Sequence, residues 1–173
     1  AATFEKFKND HKTTFGFQSN LYHFEPGSIE PSSGFSNIEP LELANQKAIE
    51  NGVFIGDEWQ MNSKITIIGG VRATMFSSIG TSSVQIYDSE QPKGVGSIID
   101  SLVFRDGELI KPYYGIAPRF SMRYLVTENS SVKLGFNRIF QYIHLISNTT
   151  AVTPIDIWQP SNYHIKPQIG DQI

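Results

Sequence analysis

"YYGIAPRFSMRYLVTENSSVKLGFNRIFQY", residues 113–142, alternates apolar with polar or small side chains in two segments that a short polar stretch separates. A period of two places successive side chains on opposite faces of a β-strand. The sequence TENS between the segments is rich in turn-forming residues. The pattern therefore predicts a hairpin with one apolar face, which meets either a protein core or a lipid bilayer. The apolar positions are Ile116, Phe120, Met122, Tyr124, Val126, Val132, Leu134 and Phe136.

The same alternation recurs along most of the chain and predicts an all-β, antiparallel fold. Strands are expected over residues 12–23, 52–60 and 64–76, and a weaker one within residues 165–173. Two short strands are expected in SVQIYD and SIIDSLVF. Residues 39–51 are the one region where a short helix or turn is predicted, although it lacks a full apolar face.

The connections between the predicted strands alternate in length. QMNS (60–63) and TENS are tight polar turns, whereas residues 24–46, 77–112 and 143–166 form long links. Loops beyond about 12–15 residues are uncommon in compact domains and are usually functional. This alternation predicts that every tight turn lies at one end of the sheet and every long loop at the other.

Composition excludes several classes of protein and site. Charged residues make up 18 % of the chain, and the formal net charge is −3, so no basic field recruits nucleic acid. The absence of cysteine excludes disulfides and thiolate metal sites. No apolar run approaches the roughly 18–20 residues of a membrane helix, and no export signal is expected in the N-terminal residues.

Two environments fit the apolar face, namely the interior of a soluble β-sandwich and the lipid around an outer-membrane barrel. Strand length, the asymmetry between turns and loops, and a second face of polar and small residues favour the barrel. A soluble β-sandwich of carbohydrate-binding type and a small eight-stranded barrel remain as alternatives. The predicted inner face comprises Gly16, Gln18, Asn20, Gly70, Arg72, Arg119, Ser121, Arg123, Gly135 and Asn137. Aromatic residues near strand ends are expected to form an interfacial girdle, namely Trp59, Phe76, Tyr113, Tyr114 and Phe140.

Catalytic and metal-binding patterns are not found in the sequence. Asp57 and Glu58 are adjacent, so they lie on opposite faces of a strand and form no acid–base pair. The four histidines are scattered, without the spacing of metal ligands. The sequence therefore predicts a protein that is not an enzyme, with no catalytic residue, metal or cofactor.

The candidate ligand-contacting residues lie on the inner face and in one long loop. Arg72, Arg119 and Arg123, with Asn137, are predicted to line a lumen, where they either guide anionic groups or bond to neighbouring strands. Arg119 and Arg123 are about 13 Å apart at roughly 3.3 Å per residue. Arg138 falls in register with the apolar positions, which indicates either a strand end or a bulge. In the loop, Trp158 and Tyr163 either stack on a ligand or pack the loop onto its neighbours.

Three motifs resemble the TonB-dependent outer-membrane receptors, from about residue 13 to the last residue. They are DEWQMNSKITIIGGVRATMF (57–76), KPYYGIAPRFSMRYLVTENSSVKLGFNRIFQYIHLISNT (111–149) and TPIDIWQPSNYHIKPQIGDQ (153–172). The resemblance is closest to receptors that carry an N-terminal carboxypeptidase-regulatory-like domain. It implies that residues 1–173 are one segment of the C-terminal β-barrel domain, a 22-stranded antiparallel transmembrane barrel in this family. The plug domain and signal peptide are expected outside this segment.

The resemblance also implies a function and a location. The expected activity is uptake of a scarce ligand, such as a siderophore or an oligosaccharide, across the outer membrane of a Gram-negative bacterium. The implied partners are outer-membrane lipid, the TonB energy-transducing complex reached through the plug domain, a small-molecule or oligosaccharide ligand, and a surface lipoprotein. No nucleic acid is implied.

Overall fold

Antiparallel strands dominate the structure, a computed structural model that describes residues 1–30, 41–42, 44–147 and 156–173. The predicted all-β, antiparallel class is confirmed. A 3-10 turn at Val95–Ser97 is the only helical element among the described residues, and it is too short to span a membrane. The strands are β1 (Ala2–Lys8), β2 (His11–Phe24), β3 (Ser28–Ile29), β4 (Leu41–Glu42), β5 (Gln46–Gln60), β6 (Ile65–Ile79), β7 (Ser82–Tyr87), β8 (Ile98–Phe104), β9 (Tyr113–Thr127), β10 (Ser130–Gln141), β11 (Ile143–Ser147), β12 (Asp156–Pro160) and β13 (Gln168–Gln172).

Seven strands form one open sheet in the order β1-β2-β5-β6-β9-β10-β13. The remaining strands pair as the hairpins β3–β4, β7–β8 and β11–β12. In the described part of the chain, β1 and β13 are the two edges of the large sheet. The described residues therefore do not close it into a barrel.

Most of the predicted strands are confirmed, including the opening hairpin as β9 and β10. The predicted helix or turn is wrong for residues 46–51, which begin β5. Ala48 pairs with Tyr22 of β2 and with Ser78 of β6, so this segment has ladder partners on both sides. Those partners override the helical propensity of its composition. The prediction is also wrong for Leu41–Glu42, which form β4, and residues 39, 40 and 43 lie outside the described residues.

Strand β1 and the hairpin β11–β12 were not predicted from the sequence. In β1 the phenylalanines are Phe4 and Phe7, three residues apart, so the period of two is hidden. Tertiary pairing nevertheless fixes the strand, because Phe4 lies opposite Phe15 and stacks on it with ring centroids 5.4 Å apart.

Cross-strand register gives the large sheet two unlike faces. Partner residues share a face, and one row runs Thr14–Gly56–Gly70–Arg119–Asn137 across five strands. We call the face with this row the polar face and the opposite one the apolar face. Thirteen large residues of the apolar face are 40–77 % exposed, so no second sheet covers them in the described structure. They are Phe15, Phe17, Leu21, Val53, Ile55, Val71, Tyr114, Ile116, Phe120, Tyr124, Val126, Val132 and Leu134.

The two ends of the sheet differ as predicted. Residues 9–10, 61–64 and 128–129 make the tight connections, and all three lie at one end, which we call the tight-turn end. The side chain of Asn62 accepts hydrogen bonds from the backbone N–H of Lys64 (2.8 Å) and Ile65 (2.9 Å), which holds the predicted QMNS turn. The long connections lie at the opposite, long-loop end.

An aromatic cluster packs on the polar face near the long-loop end. Phe76 is fully buried and stacks on Tyr142 with centroids 4.7 Å apart, beside the buried Ala48. Tyr113 and Phe140 pack against this cluster. The predicted interfacial girdle is therefore wrong for Phe76, Tyr113 and Phe140, because their rings contact one another rather than project from the apolar face.

The other two residues of the predicted girdle lie elsewhere. Tyr114 is 77 % exposed on the apolar face. Trp59, near the tight-turn end, stacks on His11 with ring centroids 5.4 Å apart. The five aromatics thus divide between two faces and two ends of the sheet, so they do not form one belt.

Adjacent glycines in β6 offer a test of the sheet geometry. A Cβ at Gly70 would lie 2.9 Å from the backbone oxygen of Ile55, whereas one at Gly69, on the apolar face, meets nothing within 4 Å. We expect Gly70→Ala to lower the free energy of unfolding by about 1–3 kcal/mol through overpacking. Gly69→Ala is the matched control and should be neutral or stabilising by up to about 1 kcal/mol. Urea unfolding in detergent measures both, and equal midpoints for the two variants would contradict the register.

Candidate functional site

A cavity of about 570 Å³ lies on the polar face where β9 and β10 separate. The β9–β10 ladder ends at the pair Arg119–Asn137, while β9 continues to pair with β6 as far as Phe76–Tyr113. Beyond the last pair, the rings of Phe140 and Tyr142 lie over Gly115 of β9. We call this space the arginine cavity; its polar-face lining includes Glu50, Ile68, Arg72, Thr74, Ala117, Arg119, Asn137, Phe140 and Tyr142.

An interruption of the alternation in β10 shapes the cavity. Asn137 shares the polar face with Arg119, and Phe140 also packs in the polar-face aromatic cluster. Residues three apart in a regular strand lie on opposite faces, so β10 departs from a strict period of two between them, while its pairing with β13 stays one to one. Arg138 lies between these two residues, and whether a strand end or a bulge explains its place in the apolar register stays a prediction. Its guanidinium donates two hydrogen bonds of 2.7 Å to the carboxylate of Asp171 in β13.

Gly115 lets Tyr142 reach across β9 to β6. The Tyr142 hydroxyl lies 2.5 Å from the Thr74 hydroxyl, and a Cβ at Gly115 would lie 2.9 Å from that tyrosine oxygen. Thr74 and Gly115 are direct cross-strand partners. The missing side chain at Gly115 is therefore what allows this wall of the cavity to form.

Arg72 belongs to a hydrogen-bonded network at one side of the cavity. Its Nη2 lies 3.5 Å from Glu50 Oε1 and donates to Gln18 Oε1 at 3.3 Å. The Tyr22 hydroxyl donates to Glu50 Oε2 at 2.8 Å. The side chains of Arg72 and Glu50 are 21 % and 17 % exposed, so the ion pair is largely shielded from water. Of the two interpretations of this arginine, bonding between neighbouring strands is the one that the geometry favours.

The two lining arginines lie across glycines of the preceding strand. A Cβ at Gly52 would lie 2.6 Å from Arg72 Nη2, and one at Gly70 would lie 3.5 Å from Arg119 Cγ. Any larger residue at Gly52 would push the guanidinium away from the network. The glycines of the polar face thus create the space in which these long side chains lie flat.

Arg119 and Arg123 differ although they lie four residues apart on one strand. Arg119 is exposed at the cavity, and the described residues supply it with no ion-pair partner. Arg123 lies in a row with Thr66 and Lys133, nearer the tight-turn end, and does not line the cavity. Of the four predicted lumen-lining residues, the structure therefore gathers Arg72, Arg119 and Asn137 and leaves Arg123 apart.

The predicted loop residues Trp158 and Tyr163 are not brought together. Trp158 lies in β12 opposite Leu145 and is 56 % exposed. Tyr163 lines a separate cavity of about 420 Å³, where its ring also contacts Lys111, with Nζ 4.4 Å from the ring centroid. The edge of the Tyr163 ring packs against His164. Loop packing thus accounts for Tyr163, whereas Trp158 makes no contact with that cavity.

Asp57 and Glu58 lie on opposite faces, as predicted from their adjacency. Asp57 pairs across the sheet with Thr13 on the apolar face, and Glu58 pairs with Lys12 on the polar face. The carboxylate of Asp57 accepts a hydrogen bond from the Thr13 hydroxyl (2.9 Å) and lies 2.6 Å from His11 Nδ1. This cluster ties β2 to β5 at the tight-turn end.

Three residues that form the hydrogen-bonded walls of the arginine cavity were not predicted as site residues from the sequence. Glu50 lies in the segment expected to be helical or a turn, Tyr142 follows the end of β10, and Thr74 carries no charge. The even numbering that Thr74 shares with Arg72 was the only available signal, because residues two apart share a face.

No protein-family model, curated protein or solved structure matches this chain.

Two glutamates of β5 test the network around Arg72. We expect Glu50→Gln to lower the free energy of unfolding by about 1–3 kcal/mol, because it leaves a shielded guanidinium without its counter-charge. Glu58→Gln, on the same face of the same strand but exposed, is the control and should change stability by less than about 0.5 kcal/mol. Chemical unfolding measures the difference. If both variants behave alike, the ion pair does not contribute to stability.

Proposed function

We propose that this chain is a wall segment of an outer-membrane receptor of the TonB-dependent kind, in which the large sheet continues into a transmembrane β-barrel. The observation that carries the proposal is the contrast between its two faces. One face exposes large apolar side chains on β2, β5, β6, β9 and β10, and the other carries a charged and hydrogen-bonded network. Lipid on one side and a polar lumen on the other satisfy both faces at once.

The size of the apolar face supports the proposal. Soluble monomers rarely expose contiguous apolar patches larger than a few hundred Å², whereas here the exposed residues extend over five adjacent strands. In water such a surface would associate or aggregate. In a bilayer the same side chains replace lipid–lipid contacts at little cost.

The length of the strands gives independent support. The strands β2, β5, β6, β9 and β10 contain 14, 15, 15, 15 and 12 residues. A tilted crossing of the hydrocarbon core needs about 9–11 residues, so each strand is long enough to cross and to extend beyond it. Strands of globular proteins average only about 5–6 residues.

The edges of the sheet and its connections complete the argument. β1 and β13 each present unpaired backbone groups in the described structure, which further barrel strands would pair. The tight-turn end would face the periplasm and the long-loop end the cell exterior. The proposed role is uptake of a scarce ligand, which the outer loops capture and the lumen passes, with a plug domain and the TonB complex supplying the gate and the energy.

Two aliphatic residues of β6 test the membrane assignment. Val71 and Ile68 are 40 % and 41 % exposed, but Val71 lies on the apolar face and Ile68 on the polar face. An arginine facing lipid near mid-depth costs about 2–4 kcal/mol. We therefore expect Val71→Arg to reduce insertion into phosphatidylcholine vesicles roughly tenfold or more, while Ile68→Arg inserts like the parent chain.

Vesicle flotation with protease protection, starting from the urea-unfolded chain, measures this insertion. Equal losses for both variants would argue against lipid on one face only. A parent chain that stays folded and monomeric in water without detergent would favour the soluble β-sandwich instead.

A further inference from the structure

The side-chain charges around the arginine cavity do not cancel. Glu50 compensates Arg72 at 3.5 Å, and Asp171 compensates Arg138 through two bonds of 2.7 Å. Arg119 lines the same cavity, and the described part of the chain places no carboxylate within ion-pairing distance of it. No side-chain carboxylate of the described residues therefore compensates Arg119, and Ile173, the last residue of the chain, also lines the cavity.

The walls around this charge are mainly apolar. Ile68, Ala117 and the rings of Phe140 and Tyr142 line the cavity. Asn137, the cross-strand partner of Arg119, adds an amide beside the guanidinium. The volume of about 570 Å³ falls within the roughly 300–1,000 Å³ typical of small-molecule sites.

We propose that the arginine cavity binds a small organic monoanion, a carboxylate carried on an apolar body. The carboxylate accepts hydrogen bonds from Arg119 and Asn137, and the apolar body packs toward Phe140 and Tyr142. An arginine guanidinium presents paired N–H groups that match the two oxygens of a carboxylate. A neutral polar ligand would leave this cation unpaired and the apolar wall unused, and a polyanion would find only one uncompensated charge.

This inference goes beyond the proposed function, which assigns a location and a transport role but no ligand chemistry. It concerns the polar face alone and holds for the cavity whether or not the apolar face contacts lipid. Failure of membrane insertion and failure of anion binding are therefore separate results.

A matched pair of ligands tests the chemistry. We expect 2-naphthoate to bind the 173-residue chain, held in neutral detergent micelles, at least about fivefold more tightly than 2-naphthamide, which has the same apolar body without the charge. Equilibrium dialysis against micelles without protein measures both affinities and corrects for partition into detergent. Equal affinities for the two compounds would overturn the proposal.

A matched pair of arginines tests the site. Arg119→Gln should weaken 2-naphthoate binding about fivefold and leave 2-naphthamide unchanged, whereas Arg119→Lys should weaken it less, because it keeps the charge but loses the paired N–H groups. Arg123→Gln removes the same charge from the same strand outside the cavity and should have no effect. An equal loss in Arg119→Gln and Arg123→Gln would show a general charge effect and overturn the site.

Folding of each variant is checked by far-UV circular dichroism. If Arg119→Gln does not fold, Asn137→Leu provides a second route, since it removes the amide partner and keeps the cation. A threefold or greater loss of 2-naphthoate affinity with unchanged 2-naphthamide affinity supports the site, and unchanged affinity for both argues against it.

Discussion

The backbone ladder that joins β2, β5, β6 and β9 is the constraint on which the rest of the structure depends. It runs without a register shift from one end of these strands to the other. Because paired residues share a face and neighbours along a strand alternate, this ladder assigns each side chain of these four strands to the polar or the apolar face. A slip of one residue would exchange the two faces and place Arg72 among the exposed aliphatic side chains.

Glycines and one irregularity turn the polar face into a site. Gly52 and Gly70 leave room for arginine side chains to lie along the sheet, and Gly115 lets Tyr142 reach Thr74. The interruption in β10 then turns Phe140 toward the cluster around Phe76. The cavity thus depends on positions where a side chain is missing or the pleat is broken, rather than on any catalytic motif.

Strands with a local pattern of alternation could be predicted from the sequence, whereas strands that depend on pairing with distant residues could not. The alternation in residues 64–76 and 113–126 predicted β6 and β9, because a half-exposed strand needs nothing else to show its period. The composition of residues 46–51 predicts a helix or turn, because the pairing with β2 and β6 that makes them a strand is not visible in the local sequence. Phe76 shares the parity of Arg72, so its face could be predicted from the sequence, whereas the face of Phe140 could not, because the interruption in β10 reverses the parity. Arg72, Arg119 and Arg123 could not be told apart from the sequence, because all three are arginines at positions predicted to lie on the polar face.

By itself, the sequence determined the all-β class, the two unlike faces and the separation of tight turns from long loops, because these follow from a period of two and from turn chemistry within a few residues. Only the tertiary structure decided which arginine lines the cavity without a side-chain carboxylate beside it. The carboxylates of Glu50 and Asp171 reach Arg72 and Arg138 from other strands, and the ends of the β9–β10 ladder determine that Arg119 rather than Arg123 meets a cavity. An ion pair forms only when the two charged groups lie within about 4 Å of each other. Which groups come that close depends on the cross-strand register, which no local pattern encodes.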